Sequence, residues 1–316
     1  MKKSTKRLLS IVGIGAVGAH ASLSLLANEL FNEMFVVDKT YLDKDIVDFL
    51  PNEEIKNKYL EQIDEQVDWY TKVAKTNLQI ESYDGYKLDA TLLHINDEHR
   101  YMILVHGFSS DRYILLKQAY EFAKRGFNIL MFDQRAYGKS EGEYTTFGFK
   151  EHLDLIQWIN TLKELDASAK IGLYGVSMGA VSVMLALGTK LDNAVCFAVE
   201  DSGYASLEAQ LSYSLSKHQV RFKNLVLHYL ERMIKNRLGF SFEDVKASEA
   251  LKRNDIPICF VHAKDDEVVL YDNASELYYA NHGKKAIYPI SSSGHAYACY
   301  EDDYFDDLME FIEKYI

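Results

Sequence analysis

A serine flanked by two glycines is the residue in this sequence best suited to chemistry. Residues 175–179 read Gly-Val-Ser-Met-Gly and lie between the apolar run 170–174 and the helix-like stretch 180–187. If the run is a strand, the chain reverses sharply at Ser177, and small residues two positions away let backbone pass close to backbone. The pattern therefore predicts a serine hydroxyl exposed where a strand ends.

A serine hydroxyl needs partners, and the sequence offers them downstream. It is a weak nucleophile until a base takes its proton, and the base needs an acid that orients it and stabilises its charge. The short apolar run 257–261 is followed by three neighbouring acids, Asp265, Asp266 and Glu267. The strand-like run 285–290 is followed by His295. The order Ser, acid, His is thus available in the chain.

Two further motifs lie upstream of the serine. The apolar run 101–105 ends in His-Gly-Phe at 106–108, and residues 132–140 read Phe-Asp-Gln-Arg-Ala-Tyr-Gly-Lys-Ser. With the motif at 175–179, this series resembles the α/β-hydrolases, particularly exported or membrane-anchored bacterial serine hydrolases related to the prolyl-oligopeptidase and acyl-esterase branches. The resemblance covers roughly residues 78–316. It implies an α/β-hydrolase fold: a mostly parallel central sheet, helices on both faces and an inserted helical cap.

The resemblance also implies a role for individual residues. Ser177 matches the nucleophile, His295 the base and Asp266 the acid, with Asp265 one position early as the alternative. The backbone N–H groups of Phe108 and Met178 match the oxyanion hole, which needs two preorganised donors. The implied activity is cleavage of a carboxylic ester through an acyl-enzyme on Ser177. Amide or peptide hydrolysis with the same residues is the alternative, and a non-catalytic hydrolase-like binding protein is an alternative of another class.

The sequence departs from the family pattern where Ala136 and Ala263 replace glycines. Next to the first of these, Arg135 has two interpretations, as a structural residue that ties loops together or as a clamp for a substrate carboxylate.

The amino-acid composition restricts the kinds of molecule that this protein can bind. A net charge of −12 argues against nucleic acid, whose binding rests on clustered Lys and Arg. Three cysteines are too few for a disulfide framework, and the histidines show no metal-ligand spacing. We therefore expect no metal and no cofactor, and a small-molecule ester or amide as substrate.

The N-terminal region has several interpretations. Basic residues precede the stretch 8–28, which contains no Asp, Glu, Lys or Arg and is long enough to cross a bilayer. This favours a single-pass anchor in the cell membrane with the hydrolase domain outside. Ala-His-Ala at 19–21 alternatively suggests a cleaved signal and a secreted protein. Residues 13–18 also fit the dinucleotide pattern G-x-G-x-x-G, followed by Asp38. A buried apolar helix is the remaining possibility.

These patterns divide the chain into three parts. Residues 1–30 are predicted to be the membrane anchor or signal segment, and residues 31–76 a helical linker whose helix starts near Asn52. The hydrolase domain is predicted at 77–316, with its helical cap at about 204–251. The cap prediction rests on an insertion too long for an ordinary loop and on helical spacing of its apolar residues.

Overall fold

The computed structural model describes residues 16–40 and 46–316 and contains one eight-stranded sheet in these residues, in the order β1-β2-β4-β3-β5-β6-β7-β8. The pairs β1–β2 and β2–β4 are antiparallel, and all other pairs are parallel. The predicted mostly parallel sheet is therefore confirmed. The strands are β1 (Ala74–Glu81), β2 (Lys87–His94), β3 (Arg100–Val105), β4 (Asn128–Phe132), β5 (Lys170–Val176), β6 (Val195–Asp201), β7 (Ile258–Ala263) and β8 (Lys285–Ile290).

The central strands β3 to β7 bury both of their faces. Successive side chains of a strand point to opposite faces. In β3, Ile103 and Val105 accordingly join one apolar cluster, whereas Met102 and Leu104 join the other. Strands covered on both faces read as continuous apolar runs, which is why runs such as 101–105 could be recognised in the sequence.

Helices cover the two faces of the sheet. The α-helices outside the predicted cap are α1 (Ala16–Phe35), α2 (Glu53–Lys72), α3 (Leu116–Lys124), α4 (Glu151–Leu165), α5 (Met178–Leu187), α9 (Asp272–Ala280) and α10 (Tyr304–Ile312). Side chains of α2, α3 and α10 share the second apolar cluster, and those of α1, α4, α5 and α9 share the first. The sheet thus lies between two helical layers.

The segment between β6 and β7 is helical, as the sequence pattern predicted. It contains α6 (Leu207–Lys217), α7 (Lys223–Leu238) and the short α8 (Ala247–Leu251). Apolar residues at helical spacing are buried, and they include Leu211, Leu215 and Leu230. These helices form the cap.

The linker helix α2 starts where the sequence predicted. The Asn52 side chain accepts a hydrogen bond of 2.9 Å from the Ile55 N–H, which caps the first turn. Farther along, Trp69 packs edge-on against Tyr120 of α3, with ring centroids 5.3 Å apart. Helix α2 therefore lies directly on the hydrolase domain.

The N-terminal helix α1 contacts the cap helix α7. Its residues Leu23, Leu26 and Leu30 are nearly fully buried in the cluster that also contains the inner face of α7. Within the described residues we find no helix with the length and hydropathy needed to span a membrane. Residues 1–15 of the predicted anchor or signal lie outside the described part of the chain, and membrane attachment and localisation stay predictions.

The dinucleotide interpretation of the N-terminus meets a different difficulty. That motif needs a strand immediately before its acidic residue, here Asp38. Residues 34 and 35 instead end the helix α1, and Val36 makes only an isolated bridge to Tyr144. Residues 13–15 of the glycine pattern lie outside the described residues.

Candidate active site

The serine lies in a tight turn between β5 and α5. Ser177 has φ 54° and ψ −118°, a conformation that non-glycine residues rarely adopt. A Cβ on Gly175 would lie 2.5 Å from the Gly179 carbonyl oxygen, and a Cβ on Gly179 would lie 2.1 Å from the Val105 carbonyl oxygen. The two glycines therefore allow the helix to start against the end of β3. We call residues 175–179 the elbow.

The three predicted side chains meet in one hydrogen-bonded chain. His295 Nε2 lies 2.9 Å from Ser177 Oγ, and His295 Nδ1 lies 2.7 Å from Asp266 Oδ2. With Nδ1 donating to the carboxylate, Nε2 is left to accept the serine proton. This tautomer makes His295 a base aimed at the serine oxygen.

The structure separates Asp266 from the alternative, Asp265. The Oδ1 atom of Asp266 accepts hydrogen bonds from the N–H groups of Val268 and Val269, at 2.8 and 2.9 Å, which leaves Oδ2 for His295. Asp265 instead accepts from the backbone N–H groups at 293 and 294 and from the Ser292 hydroxyl. Asp265 therefore holds the loop that carries His295.

A second histidine lies behind the acid. His262 Nε2 donates to the Val269 carbonyl oxygen at 2.8 Å and lies 3.3 Å from Asp266 Oδ2. Burial would raise the pKa of Asp266, but the hydrogen bonds from His262 and His295 outweigh burial and hold that pKa well below its usual range. Asp266 therefore stays ionised. No motif in the sequence pointed to the contact of His262 with Asp266.

A buried glutamate completes this cluster. Glu200, at the end of β6, is fully buried, and burial raises its pKa to about 8. One carboxyl oxygen accepts from the Gly203 N–H at 2.9 Å. The other has no hydrogen-bond partner among the described residues, and the same holds for His262 Nδ1. No motif pointed to Glu200, since its role depends on burial that only the fold reveals.

The two predicted oxyanion donors belong to different elements next to Ser177. Met178 is the first residue of α5, where the helix leaves its N–H without an intrahelical acceptor. Phe108 follows Gly107, and a Cβ added to Gly107 would lie 3.4 Å from Ser177 Cβ. Among the described residues, neither N–H makes a hydrogen bond. Both donors are thus available to a substrate oxygen.

His106 fixes the loop that carries Phe108. Its ring is fully buried, and burial lowers its pKa to about 4, so it is neutral at pH 7. Its Nε2 accepts from the Gln134 N–H at 3.0 Å, and its Nδ1 lies 2.8 Å from the Gly107 carbonyl oxygen. His106 therefore supports the site structurally.

The structure also decides between the two interpretations of Arg135. Its buried guanidinium donates to both carboxylate oxygens of Asp154 at 2.7 Å and to those of Asp84 at 3.0 and 3.2 Å. Arg135 therefore joins the turn between β1 and β2 to α4. Ala136 has φ 69°, so it adopts the left-handed conformation that suits the family's glycine.

A cavity of about 280 Å³ opens beside the serine. Ser177 and Met178 lie at one side of it, and aromatic side chains contribute another, with Phe108 stacked on Phe147 at a centroid distance of 5.3 Å. The cap helix α6 supplies Leu211 and Leu215. An apolar cavity with convergent polar groups beside a hydrogen-bonded serine is the usual form of a small-molecule site.

The sheet order, the elbow and the covering cap define the class of protein. A sequence-family model described as the alpha/beta hydrolase fold matches residues 101–202, which include the His-Gly-Phe and elbow motifs. The chain therefore has the α/β-hydrolase fold.

Individual proteins resemble this one along most of its length. The uncharacterized protein YqkD of Bacillus subtilis is 27% identical over 302 residues, covering 95% of this chain and 96% of that protein. An esterase of Pyrococcus furiosus has a similar structure, with a TM-score of 0.65 and 21% identity over 78% of this chain and 93% of its own. The acylaminoacyl peptidase of Pyrococcus horikoshii matches with a TM-score of 0.60 and 15% identity, over 80% of this chain and 43% of its own.

Proposed function

We propose that this protein is a serine hydrolase that cleaves a carboxylic ester through an acyl-enzyme on Ser177. The observation that carries the proposal is the chain of hydrogen bonds from Ser177 through His295 to Asp266. Nucleophilic catalysis requires this order of nucleophile, base and orienting acid. The strained elbow supports the proposal, because strain of this kind persists where function demands it.

The reaction proceeds in two halves. Ser177 Oγ attacks the ester carbonyl carbon while His295 Nε2 takes the hydroxyl proton, and the N–H groups of Phe108 and Met178 stabilise the negative oxygen. The intermediate collapses, and His295 returns the proton to the departing alcohol. Water then attacks the acyl-enzyme with His295 again as base, which releases the carboxylic acid and restores Ser177. Asp266 stabilises the imidazolium in both halves.

Amide hydrolysis is the second candidate, since the same residues serve both reactions. The structural similarity to an acylaminoacyl peptidase favours it, and the similarity to an esterase favours the ester. Matched substrates decide between them: p-nitrophenyl acetate and acetyl p-nitroanilide carry the same acyl group. We expect kcat/KM to be higher for the ester, and a higher value for the anilide would support the peptidase alternative.

Labelling with a fluorophosphonate tests the proposal itself. The probe forms a covalent bond with an activated serine, so we expect the wild-type protein to be labelled and Ser177→Ala to resist. Ser214→Ala is a matched control, because Ser214 lines the same cavity from the cap, and it should be labelled like the wild type. If the wild-type protein resists the probe as Ser177→Ala does, the enzyme proposal fails and the binding-protein alternative gains support.

A further inference from the structure

One wall of the cavity comes from outside the hydrolase core and the cap. Leu30 and Met34 of α1 line the cavity together with Ser177. Leu30 is almost fully buried, whereas Met34 is partly exposed. A helix that the sequence assigned to a membrane anchor and linker thus contributes side chains beside the nucleophile.

This wall is held in a fixed position. The last residue of α1, Phe35, accepts a backbone hydrogen bond of 2.9 Å from the Thr145 N–H, and Val37 N–H donates to the Glu143 carbonyl oxygen at 2.9 Å. The Phe35 ring also packs edge-on against Phe147, with centroids 5.0 Å apart. Because Phe147 lines the cavity too, the end of α1 is tied to another part of the cavity wall.

A more central part of α1 is tied to the cap. The Arg237 guanidinium donates to Asn28 Oδ1 at 2.7 Å and lies over the Phe31 ring, 4.6 Å from its centroid. Helix α1 is therefore joined to both α7 and the segment next to Phe147. Side chains on a helix held on both sides of Leu30 and Met34 can set the size of a cavity.

The size and lining of the cavity restrict what it can hold. At about 280 Å³, the cavity lies just below the range of roughly 300–1,000 Å³ that is usual for small-molecule sites. The side chains Leu30, Met34, Leu211 and Leu215 give the cavity apolar walls. Glu33 of α1 also lines the cavity, so a negatively charged chain would meet its carboxylate and be disfavoured. An uncharged, unbranched chain of short to medium length fits these limits.

We propose that α1 is a specificity element, in which Leu30 and Met34 limit the length of the uncharged acyl chain that the cavity accepts. The proposal deepens the proposed function and rests on it, because the acyl chain is that of the ester attacked by Ser177. It assigns α1 a role in substrate selection and makes Met34, which is only partly buried, the residue best suited to a test.

The test measures kcat/KM for p-nitrophenyl esters from acetyl to dodecanoyl with the wild type, Met34→Ala and Met34→Trp. Each methylene that finds room is worth about fourfold, equal to about 0.8 kcal/mol. We expect Met34→Trp to lower the octanoyl-to-acetyl ratio by at least about tenfold, from the loss of room for about two methylenes. Met34→Ala should move the optimum to longer chains. Leu25→Trp is the control, because Leu25 lies on the exposed face of α1.

Binding without chemistry separates this inference from the proposed function. Unbranched methyl ketones of graded length are titrated into Ser177→Ala by calorimetry, with and without Met34→Trp. One outcome overturns the inference and leaves the proposed function intact: the wild type hydrolyses the acetyl ester, and both Met34 variants show the same chain-length profile as the wild type. A protein inactive on every ester, but whose ketone affinity depends on chain length and on Met34, overturns the proposed function and supports the cavity assignment.

Discussion

The elbow and the cover over it are built in contrasting ways. We call α1, α6 and α7 the cover. In the elbow, a Cβ on Gly179 would come within 2.1 Å of a main-chain oxygen, so the backbone itself sets the position. In the cover, Leu30 and Leu230 pack by apolar side chains that belong to one cluster. Backbone contact tolerates no added atom, whereas apolar packing tolerates exchanges of similar volume. The position of Ser177 is thus fixed rigidly, whereas the shape of the cavity can vary independently of that position.

The largest effect that we expect is from Asp266→Asn. The amide cannot stabilise the imidazolium and favours the wrong tautomer of His295, so kcat/KM on the acetyl ester should fall by about 10³- to 10⁴-fold. Asp265→Asn is the control, because within the described residues the hydrogen bonds of that carboxylate all come from the loop at 292–294. It should cost at most about tenfold in kcat/KM. Equal losses in the two variants would mean that the acid has been assigned to the wrong residue.

Gly179→Ala tests the rigidity of the elbow directly. The new methyl group must push α5 away from the Val105 carbonyl oxygen, at an expected cost of about 3 kcal/mol or more in the free energy of unfolding. This corresponds to a fall in Tm of about 6 °C or more.

The matched glycine lies in the cover. Gly239 ends α7 at φ 78°, and a Cβ added there would have no atom within 4 Å, so Gly239→Ala adds only backbone strain of about 1 kcal/mol. Thermal unfolding of both variants measures the difference. If Gly179→Ala lowers the free energy of unfolding less than Gly239→Ala does, the contrast between elbow and cover is wrong.

Glu200→Gln tests the buried support beneath the elbow. Because the pKa of Glu200 is raised to about 8 in the folded state, the folded protein retains a proton that the unfolded chain releases near pH 4.5. The contribution of Glu200 to stability should therefore fall as pH rises from about 4.5 to about 8, by at most about 1.4 kcal/mol per pH unit.

Glutamine has the same shape as protonated glutamate and can still accept from Gly203. We expect Glu200→Gln to flatten this pH dependence in urea unfolding at about pH 5.5 and about pH 7.5. Glu208→Gln is the control, because Glu208 is an exposed glutamate on α6. Its stability should depend on pH as that of the wild type does. A Glu200→Gln variant whose stability changes with pH as the wild type's does would contradict the prediction.

The smallest effect should come from Arg237→Ala in the cover. This change removes the hydrogen bond to Asn28 and the contact with the Phe31 ring at a partly solvated site, and we expect a loss below about 1 kcal/mol. The control is Arg232→Ala, because Arg232 is an exposed arginine on the same helix. The activities of the two variants on the acetyl ester should agree within about twofold. A large loss of acetyl-ester activity in Arg237→Ala alone would show that the cover takes part in chemistry.

The same contrast explains what the sequence could predict. Ser177, Asp266 and His295 each follow a strand closely, and the carboxyl ends of parallel strands meet at one edge of a sheet. Their meeting was therefore predictable. Helix α1 was not, because an uncharged apolar stretch looks alike whether it packs on lipid or on protein. The contact of His262 with Asp266 depends on the turn at 263–269, whose geometry no pattern encodes.

The strained conformation of Ser177 has a consequence for the history of this chain. A non-glycine residue held at such a conformation costs about 1–3 kcal/mol, which exceeds the roughly 0.4–1 kcal/mol that glycine would lose through its greater freedom when unfolded. Ser177→Gly should thus be more stable than the wild type, although inactive. Selection for stability alone would favour glycine at 177. Serine at this position therefore argues that the hydroxyl is kept for its reactivity, against the interpretation of this protein as a hydrolase that has become a binding protein.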